Sequence, residues 1–159
     1  MRVSTNIRWW ELGSATIVSA IALYWALNGD AGVCVKGETG DFLQKTATAL
    51  DGTVELGLKL STALIGGGVA ILIGISSGVR MSTYSRTTLL VAMLLFGESA
   101  LLGIWWRLGI ANAWFNECLN LISSAAMQRM FNGTLYFFLA GLAIALLTIL
   151  MAAAQRGTS

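Results

Sequence analysis

Four stretches of this chain are apolar for long enough to cross a bilayer as helices, and that length constrains everything else about its fold. A hydrocarbon core about 30 Å thick needs about 20 helical residues at a rise of about 1.5 Å each. Trp9 to Leu27 qualifies with one ionisable group, Glu11, near its start, and Leu60 to Val79 qualifies with none. Leu89 to Trp106 carries Glu98, and Leu135 to Ala154 carries none. Aromatic residues stand where interfacial belts are expected: Trp9, Trp10, Tyr24 and Trp25 on the first span, Tyr84, Trp105 and Trp106 around the third, Tyr136 on the fourth. The first stretch is longer than the apolar region of a secretory signal peptide and has no small-x-small cleavage pattern after it, so a retained helix is expected.

Charge supports the same class. Only 11% of the 159 residues are charged, whereas a soluble domain carries roughly 25%. The expected fold is therefore an all-α integral membrane protein in one domain, residues 1–159, with four transmembrane helices and long connections at 28–59 and 107–134. The chain has no histidine and two cysteines, which removes the commonest general base and the usual zinc and iron–sulfur ligand sets. No enzyme activity, cofactor or metal site is expected. A net charge of +2 with scattered basic residues gives no reason to expect a nucleic-acid partner.

Basic residues set the expected orientation. Arg2, Arg8, Arg80, Arg86 and Arg156 lie in short flanking segments almost free of acids, whereas the basic residues of the long connections are mixed with acidic ones. The positive-inside rule places both termini in the cytoplasm and the long connections outside, in a plasma or bacterial inner membrane.

The outer connections read as helical extensions of the bundle, forming a small extracytoplasmic ectodomain. Polar residues from Asp41 to Lys59 recur every three or four positions opposite Leu43, Ala47, Leu50, Val54 and Leu58. Asp41 and Gln44 have the spacing of a reciprocal cap, and Asp41–Lys45 and Glu55–Lys59 that of acid-before-base pairs. One long helix from Asp41 to Val79 is expected, weakest at Gly52 and Gly57. Trp114, Cys118, Leu121, Ile122, Ala125 and Met130 form a similar stripe in the last connection. Cys34 and Cys118 fall on the same side of the membrane, where a disulfide is the natural pairing in an oxidising compartment. The sharper alternative, a thiol oxidase, needs an exchanging pair such as Cys-x-x-Cys, and each connection holds one cysteine.

Two further features bear on function. Gly66, Ala70, Gly74 and Gly78 repeat at four-residue intervals, a pattern that lets helix backbones approach closely. It packs either against another helix of this chain or against another subunit. Glu98 is the tenth residue of an eighteen-residue span, and an acid at that depth is a functional candidate because charge is costly there. Val91, Leu94, Leu95, Leu101, Leu102 and Trp105 share its face, with Ala92, Phe96, Ser99, Ala100 and Gly103 opposite. The small side is expected inside the bundle and Glu98 outside, toward lipid, a second copy or a partner. No basic residue lies within any span, so a neutral resting form is expected.

From Thr62 to Leu108, a glycine-rich span, a basic turn and a span holding Leu95-Phe96-Gly97-Glu98-Ser99-Ala100 follow in the order seen in rotary ATPase proteolipid hairpins, which this segment resembles. The resemblance implies a carboxylate that binds a proton or Na⁺ on an outer face. The turn lacks that family's Arg-Gln/Asn-Pro signature, and Trp105-Trp106-Arg107 and the long connections depart from it. Two functions follow from these features. One is a membrane protein working as a homo-oligomer or as an accessory subunit beside other membrane subunits. The other is an ion- or proton-conducting unit using Glu98.

Overall fold

In the computed structural model, residues 9–30, 32–34, 41–73 and 82–156 are described. Four α-helices account for nearly all of them: α1, Trp9–Leu27; α2, Asp41–Ile73; α3, Thr83–Phe115; and α4, Ala125–Arg156, with a 3₁₀ turn at Leu119–Ser123 before α4. All four are long and apolar enough to cross a membrane, and among the described residues there is no strand. α1 has the bounds that hydropathy alone suggests. α2 begins at Asp41 and continues through Gly52 and Gly57 without a break; the stretch expected to complete it to Val79, with Gly74 and Gly78, lies outside the described residues. The side chains of the Asp41–Gln44 cap and of the acid in the Asp41–Lys45 pair are likewise outside them.

The helices alternate in direction. Ser99 Oγ donates to the Thr134 carbonyl (2.8 Å) and Thr148 Oγ1 to Thr88 Oγ1 (3.0 Å), so α3 and α4 are antiparallel. α2 is antiparallel to α3 as well, since Val54 and Leu58 meet Gly103 near one end and Gly68 meets Met93 toward the other. α1 lies against both α3 and α4. Small residues make these crossings close. A Cβ on Gly141 would sit 3.0 Å from the Phe96 ring and 3.3 Å from the Ala92 carbonyl oxygen, and one on Gly133 would sit 2.8 Å from a Leu102 methyl. In lipid, contact of this kind is what drives helices together.

The helices are longer than a bilayer requires. Thirty-three residues in α3 give about 50 Å, against a hydrocarbon core of about 30 Å. The best-packed core lies toward the disulfide end, where Val54, Trp106 and Met127 are buried among Leu50, Leu58, Ile110, Met130 and Phe131. Trp106 is thus a core residue, its ring 5.7 Å from Phe131. Its neighbour Trp105 is half exposed, as a belt residue would be. Tyr136 departs from the belt pattern too. The Ser99–Thr134 bond and the Phe96–Phe138 ring contact bracket it, which puts it level with Glu98.

The last connection is not one continuous helical stripe. α3 stops at Phe115, Glu117 turns the chain with φ 56°, and Ser124 restarts it by accepting from the Met127 amide (3.3 Å). Left-handed backbone at a non-glycine residue is uncommon, and periodicity gave no sign of it. Cys118 follows this turn and is bonded to Cys34, with a Cα–Cα separation of 5.1 Å. Nearby, the Ala126 amide donates to the Asp30 carbonyl (3.2 Å) and Asn120 Nδ2 to the Val33 carbonyl (2.8 Å). The chain leaving α1 is therefore fastened to the start of α4 at this disulfide end.

Reduction of Cys34–Cys118, or Cys34→Ser, should lower stability by about 2–4 kcal/mol, read as a lower thermal midpoint in mild detergent. Gly141→Leu should cost about 1–3 kcal/mol by forcing Phe96 aside, with little effect from the same change at Gly13, which has nothing within 4 Å of its Cβ position.

Candidate functional site

Val91, Leu94, Leu95 and Glu98 follow one another along one face of α3 at helical spacing. α1 lies beside part of that face, where Val91, Leu94 and Leu95 share a cleft with Ser14, Ala15, Val18, Ser19 and Ala22, while Leu101 and Trp105 farther along are exposed. Glu98 is therefore not the fully outward-projecting residue that the helical wheel suggests; it is half-buried, near Ser19 of α1. Of the small face that the wheel places inside, Ala92, Phe96, Ser99 and Gly103 are buried and Ala100 is half-buried; of the face that it places outside, Leu101 and Trp105 are exposed but Leu102 is fully buried. It misses that α1 lies beside part of the other face, for nothing in the spacing of α3 records where a distant helix will pack.

One oxygen of the acid, Glu98 Oε2, is buried without a hydrogen-bond partner, as is Ser61 Oγ on α2. Ser19 is 4% exposed and, with Ala26, one of two buried residues of α1. No described basic group reaches Glu98. Lys59 Nζ pairs with Glu55 (2.7 Å), as its spacing suggests, and Arg107 donates to Asp51 through Nε (2.6 Å) and Nη2 (2.9 Å) and to Glu55 through Nη2 (3.0 Å). The Arg129 guanidinium lies 4.8 Å over the Trp25 ring. The Asp51–Arg107 contact was not foreseeable, because 56 residues separate the partners and only the α2–α3 packing brings them together.

Beyond the apolar stretches, hydrogen bonds from Lys59 and then Arg107 hold the Glu55 carboxyl below its ordinary range. A lowered folded value means that its contribution is present above the unfolded value and is lost as pH falls through the folded one.

The interior hydroxyls fall into two sets. Ser19, Ser61, Ser99 and Thr134 are buried around the level of Glu98, and Ser85, Thr87 and Thr148 toward the other end. Ser99 and Thr88 are eleven positions apart on α3, about 16 Å, and the space between them is filled by Phe96, Phe138, Ala92 and Gly141 in contact. The glycine stripe also resolves into two environments. Gly66 and Gly67 have nothing within 4 Å of their Cβ positions, whereas Gly68 presses on Met93, 2.8 Å from Sδ. Ala70 is half-buried. Within the described part of α2, the position that packs inside the chain is thus Gly68, and Gly66 faces out.

Comparison of the chain with protein-family models, with characterised proteins and with solved structures gives no match.

Two measurements check the site. Ser99→Ala should cost about 0.5–1.5 kcal/mol in thermal unfolding. As pH is lowered through the depressed Glu55 value, a modest loss of thermal stability should appear in low salt and vanish in Glu55→Gln.

Proposed function

We propose that this chain is a non-enzymatic membrane protein that works as a homo-oligomer, joined through the outward face of α2. The observation that carries this reading is the open space around Gly66 and Gly67 in the apolar C-terminal part of α2. Thr62, one turn earlier, turns its hydroxyl back to the Leu58 and Lys59 carbonyls (3.0 and 2.9 Å), leaving a smooth surface. Val69 and Ile71 flank it, exposed. A second helix can come closest where side chains are smallest, and dispersion contact over such a groove is the main attraction available in lipid.

The reading includes an orientation: both termini cytoplasmic in a plasma or bacterial inner membrane, with the disulfide end forming an extracytoplasmic ectodomain. Its support is the arginine distribution and the pairing of Cys34 with Cys118, a bond that persists in oxidising compartments.

Ion or proton conduction through Glu98 has less support. The acid is half-buried beside α1, and the packed aromatic layer around Phe96 and Phe138 separates its hydroxyl neighbours from those of the other end.

Native mass spectrometry of the chain released from its own membrane tests the proposal. A defined homo-oligomer is expected. Gly66→Leu should convert it to a folded monomer with an unchanged thermal midpoint, whereas Gly68→Leu should destabilise the chain itself. A stable wild-type monomer without co-purifying partners overturns the reading, and co-purification with other membrane subunits at fixed ratio replaces it with an accessory role.

A further inference from the structure

Near the disulfide end, α1 meets α4 through a cation. The half-buried Arg129 holds its guanidinium 4.8 Å over the Trp25 ring, beside the close contacts of Gly29 with Ala126 and of Ala26 with Gly133. The ring fixes the guanidinium without supplying a hydrogen-bond acceptor for its five N–H donors. Among the described residues Arg129 pairs with no acid: Asp51 and Glu55 are engaged with Arg107 and Lys59, and the nearby Asp30 turns Oδ1 to the Gly32 amide (3.0 Å). Arg129 is also the fifth residue of α4, and long helical side chains lean back toward the N-terminus. The first turn of that helix holds no acid, so the guanidinium and the positive end of the helix dipole add rather than cancel.

Positive charge without a described counter-charge calls for an anion, and its depth says which kind. The apolar stretch of α1 ends at Leu27, two residues after Trp25, and that of α4 begins at Leu135, six residues and about 9 Å after Arg129. The pair thus stands where apolar sequence gives way to polar, the level of the headgroup layer, about 5–8 Å deep on each side of the hydrocarbon. Trp25 is 62% exposed, so the stack is reached from outside the bundle. Ile21, one turn before Trp25 on the same side of α1, and Tyr136, seven residues after Arg129 on the same face of α4, are exposed as well and continue the site as an apolar track. We propose that Arg129 and Trp25 form a site for the phosphate of an anionic phospholipid in the leaflet at the disulfide end, with an acyl chain along Ile21 and Tyr136. A guanidinium takes a phosphate in a bidentate pair that an ammonium does not match, and a zwitterionic lipid carries its own cation to compete for the same oxygens. The apolar track distinguishes a lipid from a soluble phosphate ester, which has no chain to lay on it. The proposal rests on the membrane reading of the chain and not on the α2 contact, since both helices of the site belong to one chain.

The test is native mass spectrometry of the full chain in a neutral detergent, titrated with phosphatidylglycerol or with phosphatidylcholine of the same acyl chains. Bound lipid is counted per chain in whichever oligomer is present, so the outcome does not depend on the assembly state. The first phosphatidylglycerol should bind roughly five- to tenfold more tightly than phosphatidylcholine. Arg129→Gln should bring the two lipids level, and Trp25→Leu, which frees the guanidinium, should reduce the preference by about twofold or more. Arg86→Gln, which removes an equal charge elsewhere, should leave it unchanged. Glycerol 3-phosphate in large excess, a headgroup without chains, should not displace the lipid. Each variant is checked for its thermal transition and intact disulfide. Should Arg129→Gln not fold, Arg129→Lys, which keeps the charge and loses the bidentate fork, decides the matter together with Trp25→Leu. Equal binding of the two lipids by the unaltered chain overturns the proposal, as does a preference retained in folded Arg129→Gln or, in its place, in both Arg129→Lys and Trp25→Leu. A preference lost alike in Arg86→Gln, or displacement by glycerol 3-phosphate, overturns it too. A chain that stays in solution without detergent overturns the membrane reading instead.

Discussion

Close approach between α3 and its neighbours is the contact on which the rest of the structure depends. Lipid tails are as apolar as leucine, so burying leucine between helices gains little in a bilayer, and the association must come from dispersion at short range and from a few hydrogen bonds. The positions that permit it are single small residues: Gly141 under Phe96, Gly133 under Leu102, Gly103 under Val54 and Leu58, and Gly68 under Met93. The buried Ser99 hydroxyl then fixes the register of α4 by donating to the Thr134 carbonyl.

Packing is uneven along the axis of the bundle. The cluster around Val54, Trp106 and Met127, the Arg107 network, the Trp25–Arg129 stack and the disulfide all gather at one end. At the other end α1 has fewer partners and parts from α3 around the cleft. This asymmetry follows from where polar chemistry is affordable. The ion pairs and the disulfide gather at one end, whereas the apolar stretches offer mainly hydroxyls and the acids Glu11 and Glu98, and in lipid each buried polar group must find a partner in the protein. Glu98 and Ser61 are where that requirement is incompletely met.

Those two properties belong to separate surfaces. The outward glycines of α2 belong to the outside of the chain and bear on assembly. Glu98 is half-buried on α3, beside α1. An acid on an outer face, as the resemblance to proteolipid hairpins implies, would have stood open to lipid; α1 lies beside it instead.

Hydropathy and period by themselves determined the number of helices, the bounds of α1, the start of α2, most of the inner face of α3 and the facing of the two cysteines, because each depends on neighbours within a few turns or on the thickness of a bilayer. Tertiary structure alone decided which apolar face receives which helix. Val91, Leu94 and Leu95, part of the stripe that reads as lipid-facing on α3, lie beside α1. Trp106 left the belt for the core, Arg107 found Asp51 across 56 residues, and Gly68 rather than Gly66 took the inner contact. In lipid every apolar face is acceptable to the solvent, so hydrophobicity cannot say which one is buried; only the fit of particular backbones, one against another, makes that choice.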